Sequence, residues 1–287
     1  MLKLIASDID GTLLPYGQTA ISPELPEIIR RLEAAGVLFC PASGRQYHSL
    51  RILFPQETAN RICHLCGNGA VVFGPGPEEN PPVLCKTAMP WAESLALIHE
   101  AMALPEHAPF VFGQFEGYIF SGSQALRHEL EDVLEVRFRR LERPEDIPED
   151  ILQISVFCPN GPDQAIQALR AKRGRFNMAV SGPKWLDFNV ADKGKGLQGL
   201  CRTLGIDLAD VAVFGDNWND VSMLKIAGRS WLMETAAPEL RARFPRQCGS
   251  VIDVLKELLA EAEGRRDAPS QAALAAERSL RNRLSAS

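Results

Sequence analysis

The chain has 287 residues, 46% of them hydrophobic and 23% charged, with a formal net charge of -5. That length exceeds the usual single-domain range and supports one large or two modest domains with a real core. A charge this mild argues against broad nucleic-acid binding, and no apolar run approaches the ~20 residues of a membrane helix.

In chain order, the first element is the apolar run ending at Ser7, which reads as a buried strand. No secretory pattern precedes it, since only Leu4-Ile5-Ala6 is apolar before Asp8 interrupts. Asp8 and Asp10 follow one residue apart, and Gly11 lets the chain leave the sheet sharply. Side chains alternate along a strand, so the backbone has to deviate there if both carboxylates are to share a centre. Crowded carboxylates repel unless a cation or a shared proton lies between them. An oxygen-only pair suits a hard ion such as Mg²⁺, which takes one or two carboxylates plus a substrate phosphate. An isolated D-x-D is more often a strand end with two solvated carboxylates.

Ser22-Pro23 offers a helix start, Leu25, Ile28, Ile29 and Leu32 keep helical spacing, and Gly36 ends the helix. Val37 to Pro41 is the next apolar run, so strand, helix and strand suggest a parallel βαβ unit. Ala42-Ser43-Gly44-Arg45 sits at its carboxyl end, where ligands of such sheets gather. Arg45 to Phe54 looks helical, and Ile62 to Phe73 gives two short strands around Asn68-Gly69. Within the first of these, Cys63-His64-Leu65-Cys66 lacks a second ligand pair and reads as structural thiols. The seven cysteines, odd in number and scattered, suggest reduced thiols and a cytoplasmic protein.

Gly74-Pro75-Gly76-Pro77 and Pro81-Pro82 then form a turn-rich link. Beyond it the pattern changes to α+β: a helix over 92–103, strand-like runs over 110–120, 151–157 and 175–180, and a helix over 165–172. The parallel-sheet pattern resumes near Leu186. Lys193-Gly194 opens a helix closed by Gly205, Val211 to Phe214 is a buried strand, and Gly215-Asp216-Asn217-Trp218-Asn219-Asp220 follows it directly. A helix over 220–227, a short strand over 230–233 and two further helices complete the pattern. The expected fold class is α/β, a Rossmann-like doubly wound parallel sheet with an inserted α+β cap. The expected division is a core over 1–82 and 186–263, a cap over 83–185, and a basic tail over 264–287 that is either a frayed helix or a docking helix.

The segment Asp8 to Leu13 resembles the first motif of the haloacid dehalogenase superfamily, D-x-D-G-T-L, which includes Thr12. Ser43 with Gly44 and Arg45, Lys193-Gly194, and Gly215 to Asp220 match its other motifs in the right order. The large cap between the second and third motifs is similar to the Cof-like phosphatases. This resemblance implies a Mg²⁺-dependent phosphatase of small phosphorylated metabolites, sugar phosphates being the subfamily's usual range. It implies Asp8 as the nucleophile that forms an aspartyl-phosphate, with Asp10 protonating the leaving oxygen and then activating water. The metal would be held by Asp8, Asp216 and the Asp10 backbone carbonyl. Ser43, Gly44, Lys193 and Asn219 would bind phosphate, and Thr12, Arg45, Asn68 and Asp220 would support the site. Ser43 and Asn219 are also plain helix-cap candidates. Trp218 departs from the family pattern. A phosphomutase using the same Asp pair, and a non-catalytic phosphosugar sensor, are the alternative functions. Phe112, Phe115, Tyr118, His107 and Arg139 are candidates for contact with the leaving group. No membrane or nucleic-acid partner is expected, and the chain would act as a monomer or homodimer.

Overall fold

The computed structural model describes residues 1–120, 122–134, 136–181 and 183–267. Its central layer is a five-stranded parallel sheet in the spatial order Gln247–Cys248, Arg229–Met233, Val211–Gly215, Leu4–Ser7, Leu38–Pro41. The strands Val211–Gly215, Leu4–Ser7 and Leu38–Pro41 are short, nearly all apolar and covered on both faces, as parallel strands under crossover helices have to be. Alternation divides them cleanly. Ile5, Phe39, Ala212 and Phe214 pack with the helices Leu25–Ala34 and Val251–Asp267. Leu4, Ala6, Val211 and Val213 pack with the helices Lys193–Leu204 and Val221–Ile226. Each fully buried aliphatic side chain of this kind contributes about 1.5–3 kcal/mol of burial free energy.

A three-stranded antiparallel sheet, His64–Cys66, Val71–Phe73 and Val83–Lys86, flanks this core. Its turn passes through Gly69 at φ +93°, where a Cβ would run into the Asp192 carbonyl at the start of the helix Lys193–Leu204. Glycine there lets the turn lie directly on that helix.

The other layer is a six-stranded sheet in the order Asn177–Val180, Trp185–Asn189, Gln153–Phe157, Ala108–Phe112, Gly117–Ile119, Phe138–Arg140. One face is covered by the helices Trp91–Met102 and Asp163–Leu169 through Leu97, Ile98, Ala101, Ala165 and Leu169. Two strands fall in different sheets from those that composition suggests. Val83–Lys86, expected in the inserted segment, pairs with Val71–Phe73. Trp185–Asn189, expected at the resumption of the core, pairs antiparallel with Gln153–Phe157. The last helix runs through Asp267, past the expected start of the tail at Gly264. Residues 268–287 of that tail lie outside the described residues.

The thiols of Cys63 and Cys66 are unbridged and buried. Burial pushes the Cys63 thiol up to about 12 and raises Cys66 as well, so both are inert packing groups. His64 between them is fully buried against the Tyr47 ring at 5.2 Å. Neither ring nitrogen has a hydrogen-bond partner among the described residues. Burial, helped by the Arg51 guanidinium, pulls its pKa down to about 3. The unfolded imidazole titrates near its ordinary value of about 6.5, so protonation favours unfolding. The stability held by neutral His64 is therefore complete above pH ~6.5 and lost towards pH ~3, at up to about 1.4 kcal/mol per pH unit. The raised carboxyls of Asp8 and Asp187 work in the opposite direction, so the test is a difference. In urea melts from pH 7 to pH 4, His64→Leu is expected to gain progressively on the parent chain; parallel curves would show that the ring is solvated.

Candidate active site

The loops that follow Leu4–Ser7, Leu38–Pro41 and Val211–Gly215 leave the same edge of the parallel sheet, because Ser7 is in register with Pro41 and Phe214. Asp8, directly after the first strand, is 6% exposed, and its N–H donates to the Phe214 carbonyl at 3.0 Å. That bond ties Asp8 to the strand that delivers Asp216. Gly11 turns the chain away at φ +91°, and a Cβ there would run into the Asp216 carboxylate. Backbone conformation and close approach both demand glycine. The Thr12 hydroxyl donates to Asp216 Oδ1 at 3.3 Å and the Tyr16 hydroxyl to Oδ2 at 3.0 Å.

Lys193 opens its helix behind the N-cap Asp192, whose side chain accepts from the Lys195 N–H at 2.9 Å. The Lys193 side chain is wholly buried. Its Nζ donates to Asp8 Oδ1 at 2.5 Å and to Asp220 Oδ1 at 2.6 Å. The other Asp220 oxygen accepts the N–H groups of Asp216 at 2.9 Å and Asn217 at 3.0 Å. One carboxylate thus orients both the ammonium and the backbone that presents Asp216.

A single ammonium faces three carboxylates. Ligand oxygens of Asp8, Asp216 and Asp220 lie within 4.8 Å of one another. Burial pushes the Asp8 carboxyl up to about 7 despite the opposing pull of Lys193, with Asp220 and Asp216 adding to the rise. Burial and the neighbouring Asp220 also raise Asp216. Burial alone would lower the Lys193 ammonium, yet Asp220 and Asp8 outweigh it and hold it above its ordinary value. Excess negative charge on hard oxygen donors is what a divalent cation of the Mg²⁺ type neutralises. With Asp220 committed to Lys193 and two N–H groups, the oxygens best placed for such an ion belong to Asp8 and Asp216.

Asp10 points elsewhere. Its carboxylate forms a two-pronged pair with Arg45, Nε at 3.0 Å and Nη2 at 2.7 Å. The two carboxylates of the D-x-D segment therefore diverge at their tips while lining one cavity. Ser43 is buried after the second strand; its N–H donates to the Leu65 carbonyl at 2.9 Å, and its hydroxyl accepts from the Arg45 N–H at 3.3 Å. Asn68 holds a left-handed conformation at φ 53° and accepts from Asn219 Nδ2 at 3.2 Å. Gly44 lies so close that a Cβ would stand 3.0 Å from Asn68 Nδ2. Ser43, Gly44, Asn68 and Asn219 thus come together beside Asp8, Asp10 and Asp216. Trp218 stays outside the cavity, half-exposed, with the Arg243 guanidinium 5.0 Å from its ring centre.

The cavity measures about 460 Å³, a size typical of small-molecule sites. Its roof comes from the six-stranded sheet: Phe110, Phe112, Gln153, Ser155, Trp185 and Asp187. Of the five leaving-group candidates taken from sequence, only Phe112 lines it. Phe115 borders a separate small hollow. The Tyr118 hydroxyl donates to Glu149 at 2.7 Å, and Arg139 pairs with Glu116 at 2.7 Å. His107 Nδ1 is engaged by the Pro105 carbonyl at 2.6 Å. The signal missed in the sequence is the polar alternation of Gln153 and Ser155 inside an otherwise apolar strand.

Residues 5–253 match the family model described as haloacid dehalogenase-like hydrolase. The chain is 30% identical over 272 residues to the 5-amino-6-(5-phospho-D-ribitylamino)uracil phosphatase YbjI of Escherichia coli, covering 90% of this chain and 96% of that one. It is 27% identical over 265 residues to the HMP-PP phosphatase of Cronobacter sakazakii, covering 85% and 89%. A crystal structure from Eubacterium rectale superposes with a TM-score of 0.79 at 28% identity, over 90% of this chain and 99% of that one.

Proposed function

Because the chain belongs to the haloacid dehalogenase-like hydrolase family and is a phosphatase of its Cof-like branch, we propose that it hydrolyses small phosphate monoesters through an aspartyl-phosphate on Asp8. The observation that carries this reading is the buried cluster in which Lys193 pairs with Asp8 beside Asp216. An unprotonated Asp8 oxygen attacks phosphorus, the ester P–O bond breaks, and the leaving oxygen takes a proton from Asp10. Asp10 then removes a proton from a water that attacks the same phosphorus. The bond from phosphorus to Asp8 breaks, releasing inorganic phosphate and restoring both carboxyls. Splitting one hard displacement into two easier ones is the gain of covalent catalysis.

Positioning and charge neutralisation dominate phosphoryl transfer. Lys193 holds the Asp8 oxygen in place and offsets the charge of an arriving phosphate. Ser43, the N–H groups after it, and Asn219 are placed to bind the remaining phosphate oxygens. Asp8 and Asp216, with the Asp10 carbonyl, would hold Mg²⁺, which supplies Lewis-acid neutralisation of the phosphoryl oxygens. The pairing of Asp10 with Arg45 gives the general acid a fixed resting place from which an incoming phosphate can draw the guanidinium.

Sugar phosphates are the substrate range that the resemblance implies, and the E. coli relative is named for a substrate that joins a phosphorylated ribityl chain to an aminouracil. With p-nitrophenyl phosphate, activity is expected with Mg²⁺ and is expected to fall at least about a hundredfold in excess EDTA. Full activity in EDTA would overturn the metal assignment. Absence of hydrolysis for any ester, with Mg²⁺ supplied, would overturn the monoesterase reading.

A further inference from the structure

The four carboxylates of the site are not held alike. Asp8 and Asp220 share the Lys193 ammonium, and Asp10 pairs with Arg45. Asp216 meets two hydroxyls instead: Thr12 Oγ1 donates to Oδ1 at 3.3 Å, and the Tyr16 phenol donates to Oδ2 at 3.0 Å. Thr12 belongs to the segment Asp8 to Leu13 that carries the family pattern, whereas Tyr16 lies beyond it.

The backbone brings Tyr16 back to the site. The Gly11 N–H donates to the Leu14 carbonyl at 2.8 Å and the Leu14 N–H to the Ile9 carbonyl at 2.8 Å, so the chain folds over on itself after Asp10. The Tyr16 ring then lies across Gly11, where a Cβ would stand 2.8 Å from Cε2. Glycine at that point makes room for the ring as well as for the Asp216 carboxylate. Tyr16 is 71% exposed, so its ring adds little to any core. Burial therefore does not account for an aromatic residue held in this place. The bond from its hydroxyl to a carboxylate 200 positions away does.

Charge decides what such an arrangement serves. An ammonium or guanidinium beside Asp216 would fix the carboxylate but offset the charge that draws a cation. A neutral hydroxyl on each oxygen fixes it and leaves that charge in place. Each carboxylate oxygen has about two lone-pair sites, so one donor apiece leaves acceptor capacity for a ligand bond. Ligating carboxylates are oriented by hydrogen bonds of this kind, and losing one lowers metal affinity by about 10–100-fold. We infer that Tyr16 is a positioning residue for the divalent ion: its hydroxyl, opposite that of Thr12, locks the rotation of the Asp216 carboxylate and keeps it set to bind the ion. This assignment rests on the proposed metal dependence for the role of Asp216.

Tyr16→Phe removes the hydroxyl alone. Without substrate, binding of Mg²⁺ to the parent and the variant is measured by calorimetry, and binding of Mn²⁺ by loss of the free-ion paramagnetic resonance signal. The Kd for either ion is expected to rise about tenfold or more in Tyr16→Phe. The Mg²⁺ concentration that gives half-maximal turnover of p-nitrophenyl phosphate is expected to rise by a similar factor. In EDTA the two proteins are expected to melt within about 2 °C of each other, because water replaces an exposed donor. A purely structural Tyr16 would give the reverse, a lower melting temperature in EDTA and an unchanged Kd, and would overturn the assignment. Equal ion affinity with a raised KM for the ester would place the hydroxyl on the substrate phosphate, and tighter ion binding by Tyr16→Phe would make the phenol a competitor of the ion; either result also overturns it. Absence of ion binding by the parent removes it together with the metal assignment. A tenfold difference in Kd with no ester turned over leaves Tyr16 in its role and removes the hydrolytic reading alone.

Discussion

Asp8→Asn is expected to lower kcat for p-nitrophenyl phosphate by about ten-thousand-fold or more while the circular dichroism spectrum stays that of the parent. A carboxamide oxygen carries no charge and cannot form the acyl phosphate, so nothing else in the site substitutes for it. The fold survives because the Asn oxygen still accepts from Lys193 Nζ, which Asp220 also holds at 2.6 Å. Stability is expected to be equal or higher at pH 8. Asp8 titrates at about 7 in the folded chain against an ordinary value near 4. For an acid raised in this way, stability is lost as pH climbs between those two values, and Asn removes the penalty. Residual turnover above about one per cent would end the nucleophile assignment.

Lys193→Met has the largest expected effect on stability. The side chain is 0% exposed, and its removal strands the carboxylates of Asp8 and Asp220. Breaking a buried ion pair by deleting one partner costs about 3–5 kcal/mol, which lowers the melting temperature of a domain this size by roughly 10 °C. Lys193 is held above its ordinary value, so its contribution is complete at pH 8, well below the unfolded lysine value of about 10.4. The deficit is expected to shrink at pH 5, because the stranded carboxyls can then take up protons. Urea melts at pH 8 and pH 5 measure both effects. A deficit below about 1 kcal/mol at pH 8 would place the ammonium in solvent.

Much of the candidate site's placement was legible in the sequence because its residues sit at fixed places beside buried strands. Asp8, Ser43 and Asp216 each follow an apolar run, and a parallel sheet gathers such positions at one edge. Lys193 was legible as a helix start. The roof was not. Gln153 and Ser155 alternate with Ile154 and Val156, a pattern that fits any half-solvated strand, and only the packing shows that both faces are covered. Trp185–Asn189 leads directly into the Lys193-Gly194 helix start, so chain order assigns it to the resuming parallel sheet; its antiparallel pairing with Gln153–Phe157 decides otherwise. Val83–Lys86 follows a proline-rich link that reads as a boundary, yet the chain crosses that link to complete a hairpin extension. The divergence of Asp10 towards Arg45 depends on a contact across 35 positions that no local pattern encodes.

The most direct measurement follows the phosphoryl group itself, in the variant Asp10→Asn with Mg²⁺ and p-nitrophenyl phosphate. Nitrophenolate leaves without needing a proton, so the first displacement proceeds, while water is no longer activated for the second. The expected result is a burst of one nitrophenolate per protein chain, with the mass of one phosphoryl group on the acid-quenched peptide that contains Asp8. Turnover without a burst and without added mass, or a phosphoryl group recovered on any other residue, would contradict the account.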